Sequence, residues 1–179
     1  MSETFASPIT KTYPVNGEAA LTIADESVTA KTLVRSDQPQ LGVAFGASRM
    51  HGEAIVAGTR PDEWTILGSV AAVEAAEAAI DQGGFTSVIP FTHGRALFRI
   101  TGADSARMLE KVCGIDWSDS MTPDGAVVSA SVALTTCDII RNDTADGMRS
   151  YLLMMDRSFA QYLFDALLDA GEEFGISMS

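Results

Sequence analysis

The sequence predicts an α+β protein of two sheet-and-helix halves, with antiparallel strands and helices packed on the sheets. Three observations predict it. Short strand-like runs are joined by close polar turns more often than by crossover helices. Amphipathic helix patterns follow strands. The segment TRPDEWTILGSVAAVEAAEAAI also shares its order of parts with ADGMRSYLLMMDRSFAQYLFDAL: a polar turn, a strand with an early aromatic, then a helix, with Trp64 and Tyr151 standing 87 positions apart. This weak internal repeat divides residues 21–179 into halves of about 21–90 and 91–179, preceded by an extended N-terminal arm over 1–20.

The elements follow in order. Residues 1–20 are polar, carry Pro8 and Pro14 and hold no period, which predicts an arm ordered only where something covers it. Residues 21–35 set Leu21, Ile23, Val28, Leu33 and Val34 among threonines and predict β structure. LGVAFG (41–46) and AIVAG (54–58) predict strands, Thr59 to Glu63 a turn, and Trp64 to Leu67 a further strand. An Ala-rich helix is predicted from about Ser69 to Gln82, with Val70, Val73 and Ile80 on one side and Gly83-Gly84 as its stop.

In the second half, Arg95 to Ile100 alternates like a strand. Thr101-Gly102-Ala103-Asp104 fits a capping box opening a helix that carries Ala106, Leu109, Val112 and Cys113 and closes at Gly114. Val128, Ala130, Val132 and Leu134 form one strand face, with Ser129, Ser131 and Ala133 on the other. Residues 137–141 and 150–155 predict two strands around a turn-rich linker. The final helix starts near Asp156 and places Phe159, Leu163, Ala166, Leu167 and Ala170 on a stripe.

Composition narrows the function classes. Twelve Lys and Arg against twenty-four Asp and Glu leave a net charge of −12, which repels phosphate backbones and anionic headgroups and disfavours nucleic-acid and membrane partners. The two cysteines, Cys113 and Cys137, form no CxxC pattern and are expected as buried free thiols. Neither a basic, apolar leader pattern nor an apolar run of membrane-spanning length is present, so a cytoplasmic location is expected.

Chemistry-bearing motifs are sparse, and no catalytic, cofactor-binding or metal-binding residue is assigned to this chain. Neither GxGxxG nor GxxxxGK[ST] occurs. His51 and His93 are isolated and lack a third metal ligand in sequence. No GxSxG is present, and Cys113 at a helix end is poorly placed as a nucleophile, because the negative end of the helix dipole raises a thiol pKa. Asp116/Asp119 and Asp143/Asp146 have turn-forming spacing. Arg60, Arg95, Arg99, Arg141 and Arg157 all lie beside strands; they either bind an anion or a partner's carboxylates, or pair within the chain. The small face at Ser129, Ser131 and Ala133 and the pair Met154-Met155 are candidates for partner contact or for internal packing.

The run RPDEWTILG with its Ala-rich helix, RALFRITGADSARMLEKVCGIDW, VALTTCDIIRND and SYLLMMDRSFAQYLFDALLDAG together resemble the gamma subunit of heterotetrameric sarcosine oxidases, over roughly residues 40–171. The pieces that carry the resemblance are Arg60-Pro61-Asp62-Glu63-Trp64, the strand–Thr101-Gly102-Ala103-Asp104–helix unit, and Arg157-Ser158-Phe159-Ala160. It implies a fold related to the aminomethyltransferase (T-protein) of glycine cleavage, and a complex that oxidatively demethylates sarcosine or a similar N-methyl amine. It further implies alpha, beta and delta-type partner subunits, with FAD, FMN, NAD and folate held by the two large ones and zinc by the smallest. Within that family this chain would be a non-catalytic subunit packed against the large alpha subunit. It lacks the KGCYxGQE-type motif of free-standing folate-binding relatives, so no folate residue transfers. The alternatives are a stand-alone folate-binding or one-carbon transfer module, and a scaffold protein with no ligand.

Overall fold

The computed structural model describes residues 6–16 and 19–179; Met1 to Phe5 and residues 17–18 of the expected arm lie outside the described residues. The strands are β1 (Leu21–Asp25), β2 (Ala30–Ser36), β3 (Ser48–His51), β4 (Ala54–Arg60), β5 (Glu63–Gly68), β6 (Thr86–Pro90), β7 (Arg95–Gly102), β8 (Val127–Val132), β9 (Thr135–Arg141), β10 (Ser150–Asp156) and β11 (Ser177–Met178). The helices are α1 (Val70–Glu77), α2 (Ser105–Glu110) and α3 (Ala160–Gly171). One sheet has the order β11-β1-β7-β10-β9-β8 and the other β3-β4-β5-β2-β6. Apart from the parallel β1–β11 pair, the ladders are antiparallel. This is the α+β class that the hairpin spacing predicts.

The two sheets pack face to face, with a helical layer outside each. Alternation along the central strands assigns every side chain to a layer. In β10, Tyr151, Leu153 and Met155 face α2 and α3, while Leu152 and Met154 face the other sheet. In β5, Trp64 and Ile66 face α1, while Leu67 turns inward between the sheets. Strands covered on both faces read as continuous apolar runs, which is why YLLMM shows no alternation of polarity. Among the described residues no helix is long and apolar enough to cross a membrane.

β1 to β5 with α1, and β6 to β10 with α3, form two repeats that divide ahead of Thr86 and exchange their first strands. β1 and β6 begin 65 residues apart, at 21 and 86, and so do β2 and β7, at 30 and 95. Yet β1 pairs with β7 in the six-stranded sheet, and β6 pairs with β2 in the five-stranded one. Reading β3-β4-β5-β2-β6 beside β8-β9-β10-β7-β1 shows the same order twice, with α1 following β5 and α3 following β10. The two crossings are held alike. Leu97 N–H donates to Ser27 Oγ at 3.1 Å, and Lys31 N–H donates to Thr92 Oγ1 at 2.9 Å.

Several local expectations give way to tertiary demands. Residues 41–46 do not form a strand: Leu41, Gly42 and Gly46 have φ of 53°, 67° and 79°, and left-handed residues cannot continue an extended ladder. This loop instead lies across Gly58, where a Cβ would come 2.3 Å from the Ala44 carbonyl oxygen. The turn expected over 59–63 narrows to Pro61-Asp62 between β4 and β5, and β6 had no counterpart among the expected strands.

The first helix is capped by Ser69, whose hydroxyl accepts from Ala72 N–H, but it ends at Glu77, short of Gln82. Buried Gln40 accepts from Asp81 N–H at 3.0 Å and donates to Ser36 Oγ at 2.8 Å, tying the chain after the helix to the end of β2. Gly83-Gly84 therefore lies in a loop, not at a helix end, and Val70 is exposed while Val73 and Ile80 are buried.

The capping box is also absent. Thr101 and Gly102 end β7, and Asp104 precedes α2 without a side-chain cap, accepting instead from Arg107 at 2.7 Å. Val112, Cys113 and Gly114 lie beyond that short helix. Leu134 leaves the expected strand face for a hairpin turn. A 3₁₀ turn at Arg157–Phe159 shifts the phase of the last helix, so Leu163, Phe164, Leu167 and Ala170 are buried and Phe159 is exposed.

Candidate functional site

The residues weighed for chemistry are mostly engaged in holding the fold. His51 ends β3 and His93 follows β6, and these two strands form opposite edges of the five-stranded sheet. Among the described residues no three His, Cys, Asp or Glu side chains group to hold a metal ion. Cys113 and Cys137 are both free and buried in the layer beneath α2 and α3, and burial pushes the Cys137 thiol up to about 12. A thiol so disposed is a small apolar filler, not a nucleophile.

The arginines pair within the chain. Arg60 of β4 reaches across to the other sheet, donating to Asp138 at 2.9 Å and to Ser129 Oγ at 2.6 Å. Asp138 is buried at 5% exposure, and the pair raises the Arg60 pKa through the hydrogen bond. Arg99 donates to Glu26 at 2.6 Å and to Asn142 and Ser150 at 3.2 and 3.1 Å. Arg141, 7% exposed, forks onto Asp143 at 2.8 Å, reaches the Thr122 carbonyl at 2.7 Å and also pairs with Asp119. Those bonds, led by that to Asp143, raise its pKa. Arg95 pairs with Asp156 at 3.3 Å, and Arg157 donates to the Ala6 carbonyl.

Of the acidic pairs, Asp116 and Asp146 behave as turn residues, while Asp119 and Asp143 are the ion-pair partners of Arg141. Asp116 accepts from Ser118 N–H at 2.8 Å, which lowers its pKa, and Asp146 accepts from the Thr144 hydroxyl. Met154 and Met155 are 1% and 0% exposed and face opposite interior layers, so the methionine pair is core and not a contact surface. Ser129 and Ser131 are exposed on β8, an edge strand.

What the structure does present is an apolar ridge that the sequence did not single out. The turn between β8 and β9 consists of Ala133 and Leu134, at φ 44° and 65°. Two residues with positive φ make the hairpin turn that Asn-Gly favours, and each L residue with a Cβ costs about 1–2 kcal/mol there. The tip is nonetheless pinned: Ala133 N–H donates to Val112 O at 2.8 Å, and Tyr162 Oη donates to Ala133 O at 3.0 Å. Leu134 is thereby held 93% exposed beside Tyr162, with Phe159 one turn before it and also exposed. A leucine in a strained turn was invisible in a sequence that read it as the end of a strand face.

The N-terminal arm and α3 enclose a hollow. Thr10 N–H donates to Gln161 Oε1 at 2.9 Å, Lys11 pairs with Asp165 at 2.6 Å, and the Tyr13 ring lies 5.2 Å from that of Phe164. Between the arm, α3 and the segment leading into β11 lies a cavity of about 600 Å³ with Tyr13, Leu168, Ile176 and Met178 in its lining.

Comparison with known proteins places this architecture. Over 89% of the chain, it is similar to a structure of heterotetrameric sarcosine oxidase from Corynebacterium sp. U-96 in complex with pyrrole 2-carboxylate, with TM-score 0.72, 20% identity and 88% of that chain covered. It is also similar to glycine cleavage system aminomethyltransferase T from Bartonella henselae, with TM-score 0.64 and 15% identity, covering 89% of this chain and 48% of that one. No match is found among curated proteins. At these identities the two structures establish the fold, and the T-protein-like fold expected from the resemblance is the one observed. Family membership rests on the sequence itself: the model of the sarcosine oxidase, gamma subunit family matches residues 17–173, nearly the whole of this chain, which belongs to that family.

Proposed function

We propose that the chain is the non-catalytic gamma-type subunit of a flavin-dependent sarcosine or related N-methyl amine oxidase, and that it packs against the large alpha subunit. Beta and delta-type subunits complete the complex in this reading. The partners hold FAD, FMN, NAD and folate in the large subunits and zinc in the smallest, and the assembly works in the cytoplasm. Two observations support that division: Arg60, Arg95, Arg99, Arg141 and Arg157 are committed to carboxylates or carbonyls, and among the described residues no three His, Cys, Asp or Glu side chains group together. Residues 21–179 form the T-protein-like unit and 1–20 its arm in this proposal.

The observation that carries the reading is the ridge of Leu134, Tyr162 and Phe159. Single exposed apolar residues are ordinary, but Leu134, held 93% exposed by left-handed backbone with exposed Tyr162 bonded to the same turn, supports a surface that another protein covers. Co-expression with the larger subunits tests it. The wild-type chain is expected to co-purify with them in a yellow complex that sarcosine or another N-methyl amine bleaches. Leu134→Asp is expected to weaken assembly by roughly tenfold or more. A colourless, solitary wild-type monomer would overturn the proposal.

A further inference from the structure

The groove between the arm and α3 is a second surface with a definite chemistry. Its floor is apolar, formed by Leu168, Ile176 and Met178. Its rim is anionic. Asp165 is already committed to Lys11 and Tyr13, but Asp169 and Glu172 form no ion pair among the described residues. Both lie at the C-terminal end of α3, whose last turn holds no basic residue, so the negative end of the helix dipole adds to their field. Helix C-termini ordinarily recruit Lys or Arg to this place. Here Lys111 donates to the Ala170 carbonyl at 2.7 Å but pairs with Glu173 at 2.8 Å, leaving the groove side uncompensated.

The volume, about 600 Å³, is that of a pocket for a few side chains. An anionic rim over an apolar floor complements a side chain with an aliphatic stem and a cationic head, which Lys and Arg supply. We propose that this groove docks an extended segment of a partner subunit carrying a Lys or Arg flanked by apolar residues. The stem lies on Leu168 and Ile176, and the head is shared by Asp169 and Glu172. The inference rests on the chain being a subunit of a complex, as proposed above.

The test uses the assembled complex. Asp169→Lys/Glu172→Lys reverses the rim, while Glu53→Lys/Glu74→Lys makes the same charge change on exposed residues of the other half. Both pairs are at the surface, and lysines suit the end of α3, so folding is retained and is checked by far-UV circular dichroism. The rim reversal is expected to weaken assembly about 30-fold and the control less than about threefold, with the gap closing at high salt. A photo-cross-linking residue at Leu168 is expected to attach to a partner segment containing Lys or Arg. Rim-reversed chains assembling within about threefold of wild type would overturn the inference, as would cross-links to an acidic segment or to none. A wild-type chain that never assembles removes the proposed function itself; a wild-type complex indifferent to the reversal removes only the groove.

Discussion

Lys31 sits where the chain crosses from one sheet to the other, 1% exposed, with its ammonium donating to the Ser27 and Thr29 carbonyls at 2.8 Å each. Burial pulls its pKa down from 10.5 to about 8. Below pH 8 both folded and unfolded chains hold the proton, and the folded state bears the whole cost of the buried charge. As pH rises towards 10.5 the folded chain releases the proton first, so stability rises with pH across that window. Urea unfolding of wild type against Lys31→Met is expected to move in favour of wild type by about 3 kcal/mol between about pH 8 and 10.5. A flat difference would mean that the amine is solvated. Tyr151 presents the opposite case: its ring packs edge-on against Trp117 with centroids 5.1 Å apart, while its buried hydroxyl has no hydrogen-bond partner among the described residues. Tyr151→Phe is expected to leave the protein as stable or up to about 1–2 kcal/mol more stable, read from the thermal midpoint.

At the scale of the element, the hairpin joining β8 and β9 stores local strain that its neighbours hold in place. Ala133→Asn/Leu134→Gly substitutes the residue pair that this turn geometry favours. The double variant is expected to raise the stability of the isolated chain by about 1 kcal/mol and, by removing the exposed leucine, to weaken assembly. Opposite signs for stability and assembly would separate a role in partner contact from one in folding. α2 shows what a short element needs from its surroundings. Six residues are too few to stand as a helix alone, and it persists because Ala106, Met108 and Leu109 are buried against the six-stranded sheet.

Across the whole molecule, the arm binds the outer face of α3 through Lys11, Tyr13 and Asp165. The hydrogen bond from Lys11, and next that from Tyr13, hold the Asp165 carboxyl below the usual range. A carboxyl depressed in the folded state contributes its stability above the ordinary carboxylate pKa and loses it as pH falls through the depressed value. Protection of residues 6–16 from limited proteolysis is therefore expected to hold at neutral pH and to fade below about pH 4, while the sheets stay protected. Loss of both together would mean that the arm is integral to the core. The sheets themselves are joined by more than apolar packing. Arg60 ties them through Asp138, and Ser48 N–H donates to Gly125 O at 2.6 Å where β3 approaches β8.

The sequence by itself determined the class, the repeated strand-then-helix order, the absence of a motif for catalysis and the family, because these depend on local periodicity and on residue types at fixed spacing. It also placed β7, β9, β10 and the last helix within a few residues. The tertiary structure alone decided that β1 and β6 trade sheets, since a strand's partner is chosen by long-range ladders that leave no mark on its own five residues. It decided that the first helix stops at Glu77, with Gln40 taking the N–H of Asp81 beyond it, and that residues 41–46 bend over Gly58. It turned Met154 and Met155 inward between layers, which a strand covered on both faces cannot signal by alternation. And it exposed Leu134 and opened the groove over Leu168, because a surface is defined by what the folded chain leaves uncovered, and that is set only when every element is in place.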